Sequence, residues 1–545
     1  MRTARASRIG LVFGLLISGL TAAAAGGTDN AQEENLGTLP PMLNPVFSKG
    51  RLHIAYVTQK RSRFSVLVDG QLGPEYDDIM NGGLVFIPAG KGVAYVAKQG
   101  SRPGETGKEV KWLVVLNGQP GAGYDDIMNG TLVFSPDGKR VAYAARKGKK
   151  WLVVLDGHPE PEYDDIMKGT PVFSPDGKRV AYAARKLAHW LVVLDGRPGP
   201  EYNVIMAGTP VFSPDGTRVA YAARKGGKWF VVLDDHPEPE YDAIMAGMPI
   251  FSPDGRRIAY AAAKGEKWLV VLDGQPGPEY DDIMKGTPLF SPDGTRCVYC
   301  AKKGEKWLVV LDGQLGPEYD DIMKGTPLFS PDGKHVAYAA WKGEKWLVVL
   351  DSHPEPEYDD IMKGTPLFSP DGTRVAYAAR KGEKWLAVLD GRPEPEYDNI
   401  MKGTPVFSPD GKRCAYAAEK GENWLVVLDD HPEPEYDAIM AGTPVFSPDG
   451  KRCAYCARKA GHWFVVLDGH PGPEHAAIMT GTPIFSPDGK RCAYCAKKGE
   501  KWFIVLDGQT GRQYDGIIGL SFHPDGVLEG LTIRSDALYR VKQGP

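Results

Sequence analysis

The sequence lacks the features that would point to a membrane span or to a polyanionic partner. Beyond residue 25 it has no apolar run near the roughly 20 residues that a membrane-spanning helix needs. Neither sign of charge dominates, because 65 Lys and Arg stand against 69 Asp and Glu, a formal net charge of −4. The overall charge therefore gives no reason to expect a nucleic acid or an anionic membrane as the partner.

Sequence signatures of catalysis are also missing. The chain has no Gly-x-Ser-x-Gly elbow, no His-Glu-x-x-His pair, no P-loop and no Gly-x-Gly-x-x-Gly turn. It also has no non-repetitive domain that could carry a reaction. We therefore predict no catalytic residues, no cofactor and no metal, and we predict that the protein is not an enzyme.

A repeat dominates what is present. The sequence Phe-Ser-Pro-Asp-Gly recurs every 39 residues in ten copies, the first at Phe134 and the last at Phe485. Degenerate copies begin at Phe47, Phe86 and Phe522. A fixed period near 40 residues is typical of architectures in which each unit buries its apolar faces against its neighbours. We predict one array of about 13 units over residues 45–545.

Each unit has the pattern of four antiparallel strands, a to d. A short strand a ends at Phe173, and a Ser-Pro-Asp-Gly turn follows it. Strand b alternates large residues, Val180 and Tyr182, with alanines, which predicts one bulky and one small face. Strand c opens at Trp190 and is apolar on both faces. Strand d, with its Glu-Tyr-Asp-Asp sequence, is the polar outer edge. Four such strands form one β-propeller blade, and no 3.6-residue period supports helical repeats.

The repeat also resembles a known family. The string Phe-Ser-Pro-Asp-Gly-Lys-Arg-Val-Ala-Tyr, which begins for example at Phe173, is similar to the repeat of TolB-type β-propellers, bacterial relatives of WD-repeat proteins. The likeness covers nearly all of the chain after the N-terminal segment. The Trp-Asp dipeptide of true WD repeats is absent, and no Gly-His pair recurs in every unit. The resemblance thus implies an all-β propeller but little about activity, because propellers serve unrelated functions.

The number of units leaves two arrangements open. Thirteen exceed the four to eight blades of most propellers. We favour two tandem rings of 6–7 blades, although the uniformity of the units also fits a single large ring. The last unit ends without a strand d, and residues 35–42 could supply one.

The first residues have the layout of an export signal. Arg2, Arg5 and Arg8 precede an apolar run over residues 9–20, and alanines at 22–25 offer an Ala-x-Ala cleavage site. We therefore divide the chain into a signal peptide at 1–25, a segment at 26–44 that could close the ring, and the propeller array at 45–545. The mature protein is then periplasmic or secreted without stable membrane insertion. An uncleaved anchor is the alternative.

All seven cysteines fall on predicted strand b. Residues i and i+3 of a strand face opposite sides, so a Cys-x-x-Cys pair here cannot bind one metal or close on itself. One interpretation is small core residues. The other is disulfides between neighbouring blades in an oxidising compartment. Cys456 would pair with Cys492 if the small face looks toward the next blade. If it looks back, Cys456 would pair with Cys414, and Cys495 with Cys453.

Predicted loops hold the candidate ligand-binding residues. We place residues 185–189 in a b–c loop and residues 195–200 in a c–d connection. In the b–c loop Trp341 stands where another unit has Arg380, and its indole could stack on a sugar or aromatic ligand. Lys342 and Arg380 are the other two candidate ligand-binding residues. The face formed by the d–a and b–c loops is predicted to be basic and the opposite face more acidic. The d–a lysines of the basic face are Lys168, Lys285, Lys324, Lys363 and Lys402.

These observations favour a non-enzymatic exported propeller that binds a protein or another macromolecule through its loop faces. The partner would be a protein or a glycan and not a nucleic acid. The alternative is a carbohydrate or small-ligand binder that uses the channel mouth and Trp341. An enzyme with its site in the channel is disfavoured, because near-identical blades supply no asymmetric acid–base set.

Overall fold

The structure, a computed structural model, describes residues 31–38, 43–48, 53–88, 90, 92–100 and 109–544. The predicted signal peptide at residues 1–25 lies outside the described residues. All regular elements of the described part are β-strands, and they form 13 sheets arranged as the blades of one ring. Within these ranges no helix has the length and apolar character needed to cross a bilayer. The protein is a β-propeller of 13 blades.

Blades 2–12 share one layout, in which the inner strand is split into two short segments, a1 and a2. In blade 4 these are Asp165–Ile166 and Val172–Phe173, and both pair antiparallel with strand b, Val180–Lys186. Strand b pairs with strand c, His189–Leu194, and strand c pairs with the outer strand d, which begins as Arg197–Pro198. The predicted four-stranded blade is therefore confirmed, with an inner strand interrupted at its middle.

The strand bounds repeat from blade to blade. Strand a of blade 1 is Leu43–Phe47 and that of blade 13 is Gly516–Phe522. In the other blades strand a1 is Asp78–Ile79, Asp126–Ile127, Asp165–Ile166, Val204–Ile205, Ala243–Ile244, Asp282–Ile283, Asp321–Ile322, Asp360–Ile361, Asn399–Ile400, Ala438–Ile439 or Ala477–Ile478. Strand a2 is Val85–Phe86, Val133–Phe134, Val172–Phe173, Val211–Phe212, Ile250–Phe251, Leu289–Phe290, Leu328–Phe329, Leu367–Phe368, Val406–Phe407, Val445–Phe446 or Ile484–Phe485.

The two long central strands follow the same order along the chain. Strand b is Ile54–Lys60, Val93–Gln99, Val141–Lys147, Val180–Lys186, Val219–Lys225, Ile258–Lys264, Cys297–Lys303, Val336–Lys342, Val375–Lys381, Cys414–Lys420, Cys453–Lys459, Cys492–Lys498 and Leu528–Arg534. Strand c is Arg63–Val68, Lys111–Leu116, Lys150–Leu155, His189–Leu194, Lys228–Leu233, Lys267–Leu272, Lys306–Leu311, Lys345–Leu350, Lys384–Leu389, Asn423–Leu428, His462–Leu467, Lys501–Leu506 and Ala537–Gln543.

The outer strand d varies most in length. From blade 1 to blade 12 it is Gln71–Tyr76, Gln119–Tyr124, His158–Pro159, Arg197–Pro198, His236–Pro237, Gln275–Pro276, Gln314–Tyr319, His353–Tyr358, Arg392–Pro393, His431–Pro432, His470–Pro471 and Gln509–Tyr514. Where it is short, an isolated bridge such as Trp190↔Tyr202 resumes the pairing with strand c. In blade 13 strand d is the N-terminal segment Gln32–Thr38.

Three predicted connections differ in the structure. The c–d connection is a two-residue turn, Asp195-Gly196, because both residues adopt the positive φ that such hairpins require. Residues 197 and 198 therefore belong to strand d. Residue 185 lies on strand b and not in a loop. The second Asp of the Glu-Tyr-Asp-Asp sequence, Asp165, starts the inner strand of the following blade and is not on the outer edge.

These connections define two faces of the ring. We call the face with the b–c hairpins and the d–a crossovers the hairpin face. The opposite face, with the a–b and c–d turns, is the turn face. Successive inner strands, such as Val133–Phe134 and Val172–Phe173, contact each other and line the central channel.

Neighbouring blades pack a bulky face against a small one. Val180 and Tyr182 of blade 4 lie in one core cluster with Ala142 and Ala144 of blade 3. Tyr182 also packs edge-on against Tyr163 of the preceding outer strand, with ring centroids 6.2 Å apart. The two faces predicted for strand b are present, and the small face looks toward the following blade.

The recurring Ser-Pro-Asp-Gly turn is built around a buried serine. Ser174 Oγ donates to Asp176 Oδ1 over 2.6 Å and accepts from the Arg179 N–H over 2.9 Å. Gly177 has a φ of 73°, and a Cβ there would lie 3.1 Å from Ser135 of the preceding blade. Both the backbone angle and this close approach require glycine at the fourth position.

The arginine that follows this turn links consecutive blades. Arg179 Nε donates to Asp195 Oδ2 over 3.0 Å, and Nη1 donates to the Thr217 carbonyl of the next blade over 2.6 Å. Its guanidinium also lies over the Phe212 ring of that blade, 5.7 Å from the centroid. We call this arrangement the arginine clamp. It is formed by Arg140, Arg179, Arg218, Arg257, Arg296, Arg374, Arg413, Arg452 and Arg491.

The ring closes between blades 13 and 1. Strand Gln32–Thr38 pairs with Ala537–Gln543 and completes blade 13, and it overlaps the segment expected to do so. Arg540 Nη2 then donates to Asp69 Oδ2 of blade 1 over 2.6 Å. One core cluster joins Leu531 of blade 13 to Ile54 of blade 1.

The preferred prediction of two rings is wrong, and the alternative of a single ring is confirmed. Core clusters join every blade to the next, from blades 1 and 2 to blades 12 and 13, so no junction is left at which a smaller ring could close.

The junction between blades 8 and 9 has His335 in place of the clamp arginine. Its Nδ1 lies 2.5 Å from Asp351 Oδ2, but a histidine is too short to reach blade 9 as the arginines do. We expect His335→Arg to raise the free energy of unfolding by about 1 kcal/mol, because it adds a hydrogen bond from a charged donor. Arg374→His at the next junction is the matched control and should lower it. Urea unfolding measures both, and a destabilised His335→Arg variant would contradict the role of the clamp.

Candidate binding surfaces

The structure offers three surfaces that could bind a partner: the wall of the central channel, the hairpin face, and clefts between neighbouring outer strands. Each is repeated around the ring, so the informative positions are those at which one blade departs from the others.

The channel wall carries a turn between strands a1 and a2. In blade 7 the Thr287 N–H donates to the Met284 carbonyl over 3.1 Å, and the Thr287 hydroxyl donates to the same oxygen over 2.8 Å. Gly286 adopts a φ of 92°, which favours glycine. Lys285 is the second residue of the turn and is exposed. The lysines predicted for the d–a loop thus lie on the inner edge of the blades and not on a face of the ring.

Four contiguous blades carry a lysine at this channel position. We call these residues, one each from blades 7, 8, 9 and 10, the channel row: Lys285, Lys324, Lys363 and Lys402. All four are exposed, and none forms an ion pair with any described residue. Blade 4 adds an isolated Lys168. The remaining blades with this turn have Asn81, Asn129, Ala207, Ala246, Ala441 or Thr480.

On the hairpin face, the first Asp of each Asp-Asp pair links two blades. Asp359 accepts from the ammonium of Lys345 and from the Gly382 N–H of blade 9, the latter over 2.5 Å. The Lys345 hydrogen bond lowers the pKa of Asp359, and the backbone hydrogen bond lowers it further. Both oxygens of this carboxylate therefore bind groups within the ring, so it is not available as a ligand for a partner.

Trp341 lies on strand b and not in the b–c loop. Its ring centroid is 5.3 Å from that of Trp346 on strand c, with an interplanar angle of 59°. Other blades have a cation at this position, such as Arg146, whose guanidinium lies 5.9 Å from the Trp151 ring centroid. Trp341 is half-buried, so part of the indole pair remains accessible on the hairpin face.

The other two predicted ligand-binding residues lie on the same blade as Trp341 or on the next one. Lys342 is the exposed last residue of the same strand. Arg380 occupies on blade 9 the position that Trp341 has on blade 8, and its Nη1 donates to the Gly382 carbonyl over 2.9 Å. The structure thus gathers all three on the hairpin face of two adjacent blades.

An exposed lysine ends strand b in each of ten consecutive blades. We call these residues the hairpin lysines: Lys147, Lys186, Lys225, Lys264, Lys303, Lys342, Lys381, Lys420, Lys459 and Lys498. Among the described residues only Lys420 has an ion-pair partner, Glu435, at 3.2 Å. Glutamates at several hairpin tips, such as Glu344, partly offset this positive charge.

The clefts between outer strands have mixed charge. The cleft between blades 2 and 3 has a volume of about 390 Å³ and is lined by Lys111, Lys147, Glu160 and Glu162 among others. The equivalent cleft between blades 3 and 4 has a volume of about 350 Å³. Because both signs of charge line them beside apolar side chains such as Leu152 and Leu191, these clefts show no preference for one class of ligand.

At the outer edge, one glutamate packs against the next blade. Glu355 of blade 8 lies beside the c–d turn of blade 9, where a Cβ on Gly391 would be 2.5 Å from Glu355 Oε2. Burial raises the pKa of Glu355, and the neighbouring Asp390 raises it further. The folded state therefore favours the protonated form of this side chain.

This shift predicts a pH-dependent effect of substitution. The raised pKa of Glu355 makes its charge destabilising as pH rises above the ordinary value of 4.5, and the penalty is absent below that value. Glu355→Gln should therefore raise the urea midpoint at pH 7 and leave it nearly unchanged at pH 4. Glu357→Gln, at an exposed position of the same strand, is the control. An equal gain at both pH values would show that the charge of Glu355 is not responsible.

All seven cysteines lie within the described residues and are buried free thiols in this structure. Cys456 is on the small face and joins the core cluster with blade 12. Burial raises the pKa of Cys456, and the nearby Cys492 of blade 12 raises it further. Cys414 packs with blade 9 and Cys495 with blade 13. Burial raises the pKa of Cys453 to about 12. These thiols serve as core side chains.

Comparisons with known proteins find similarity to solved structures only. No protein-family model and no curated protein matches the chain. Among solved structures it is similar to a eukaryotic initiation factor, with 13% identity, 66% of this chain and 98% of that chain covered, and a TM-score of 0.29. It is also similar to TolB from Acinetobacter baumannii, with 18% identity, coverages of 48% and 77%, and a TM-score of 0.20.

A third similar structure is the β-propeller domain of the trilobed protease from Pyrococcus furiosus, with 11% identity, coverages of 63% and 96%, and a TM-score of 0.23. Because all three TM-scores are below 0.5, the assignment of the β-propeller fold rests on the 13 sheets and on the closure of the ring. The fold and the surfaces together define the class of the protein as a β-propeller repeat protein.

Proposed function

We propose that the protein is an exported, non-enzymatic scaffold of the TolB-like type that binds a macromolecular partner through its hairpin face. Export rests on the signal-like layout of residues 1–25. The absence of enzyme chemistry is proposed because the blades repeat the same polar side chains, whereas catalysis needs an asymmetric set of positioned groups.

The hairpin lysines are the observation that carries this proposal. Ten exposed cations occupy one face in successive blades, and nine of them have no ion-pair partner among the described residues. Lysines that stabilise this fold form ion pairs, as the strand c lysines do with the first Asp of the Asp-Asp pairs. The unpaired set is suited to an anionic partner surface, which would gain charge complementarity and a faster association rate.

We test this with charge reversal on adjacent blades. A variant with Lys147→Glu, Lys186→Glu and Lys225→Glu should lose at least about ten-fold in affinity for immobilised anionic polymers, because these three blades have no glutamate at the hairpin tip. Interferometry against poly-glutamate, polyuronate and heparin at two salt concentrations measures the effect.

The control carries the same charge change on the turn face, with Lys139→Glu, Lys178→Glu and Lys334→Glu, whose side chains are 75–82% exposed. This variant should retain its affinity. If the two variants lose affinity equally, binding follows net charge alone and the hairpin face is not the binding surface.

The Trp341–Trp346 pair favours a second candidate function, carbohydrate binding. The two indoles present a partly exposed aromatic surface beside Lys342, and aromatic faces suit the apolar side of a sugar ring. Trp341→Ala should then abolish binding on a glycan array, whereas Trp341→Arg restores the residue of other blades without restoring the binding. Glycan binding that survives both substitutions would remove this candidate.

A further inference from the structure

The channel row differs from the hairpin lysines in position and in distribution. Its four lysines occupy consecutive blades, so they form an arc on one side of the channel, while most other blades have Ala, Asn or Thr there. The turn that holds each lysine needs no charged residue, because its hydrogen bonds come from the threonine and the methionine carbonyl. The lysines are thus not required for the fold.

Neighbouring members of the row are close to each other. In blades 2 and 3 the same position is occupied by Asn81 and Asn129, and the Asn129 amide donates to the Asn81 carbonyl over 3.3 Å. Between blades 3 and 4, the a2 strands Val133–Phe134 and Val172–Phe173 have Cα atoms within 8 Å of each other. Because the blades repeat, we expect neighbouring lysines of the row to be separated by about the Debye length of physiological salt, roughly 8 Å, and therefore to repel one another.

Carboxylates elsewhere on the wall do not neutralise the row. Asp282, Asp321 and Asp360 lie on strand a1, nearer the hairpin face. Each accepts a hydrogen bond from the N–H of the following isoleucine, and none forms an ion pair with the row. No ion pair within the described residues offsets the repulsion between the lysines, and an anionic occupant would relieve it.

The chemistry of the row selects among anionic occupants. Its turns supply Met, Lys, Gly and Thr, with no arginine for bidentate phosphate binding. The nearest aromatic rings, such as Phe290 and Phe329, are half-buried beneath clamp arginines and offer little surface on which bases or sugar rings could stack. In an extended peptide, side chains on the same side are about 7 Å apart, which is close to the spacing between blades. An extended chain along the wall would therefore present every second side chain to successive lysines.

We propose that the channel row binds an extended acidic segment of a protein partner, with carboxylates at alternate residues. Each lysine then pairs with one carboxylate, and the intervening side chains face the open channel. This binding surface is separate from the hairpin face and does not depend on what that face binds.

The test uses two peptides of identical composition, one alternating Glu and Gly over eight residues and one with four Glu followed by four Gly. Fluorescence anisotropy with the full chain measures both. We expect the alternating peptide to bind several-fold more tightly, and Lys→Gln at all four positions of the row to weaken it roughly ten-fold or more.

The matched control removes the same charge from the same four blades on the hairpin face: Lys303→Gln, Lys342→Gln, Lys381→Gln and Lys420→Gln. It should keep the affinity for the alternating peptide. Loss in this variant alone would overturn the channel inference and support the hairpin face as the only binding surface. Equal binding of the two peptides, or row-dependent binding of polyuronate or single-stranded DNA without the alternating peptide, would overturn the acidic-peptide assignment.

Discussion

The whole structure depends on the fact that every blade has two apolar faces. Strand b presents tyrosine and valine on one side and alanine on the other, and each side is buried only when another blade lies against it. No blade of this kind can stand at the end of a row without exposing a core face to water. A closed ring satisfies this constraint, and the N-terminal strand Gln32–Thr38 completes it by adding the missing outer strand of blade 13.

The residues that hold the ring together are distinct from those that are free to bind. Buried serines, turn aspartates, clamp arginines and crossover aspartates all have partners within or between blades. The exposed lysines of the channel row have none among the described residues, and Trp341 replaces a cation that other blades place over the strand c tryptophan. Residues at these positions can change while the ring still closes. This property suits a scaffold whose surfaces adapt to a partner.

Much of the blade could be predicted from the sequence, because its patterns are local. The alternation at Val180 and Tyr182, the turn at Ser174 and the apolar strand after Trp190 each follow from neighbouring residues. Asp165–Ile166 could not be placed in this way, since it is two residues long and its partner strand ends about 20 residues later. The channel lysines were assigned to a loop for the same reason. Trp341 stands out in the sequence because other units have a different residue there, but its contact with Trp346 depends on the hairpin register.

The number of rings could not be read from the repeats, because the junctions between standard blades share the same packing of a bulky face against a small one. What distinguishes the last junction is a small group of charged residues, in which Arg540 meets Glu34, Asp69 and Glu529. These residues belong to the two ends of the chain and do not depend on how many units lie between them. The circumference is therefore a property of copy number and not of blade design. Gain or loss of a whole unit during evolution would change the width of the pore and leave the ion pairs of Arg540 between the two ends of the chain intact.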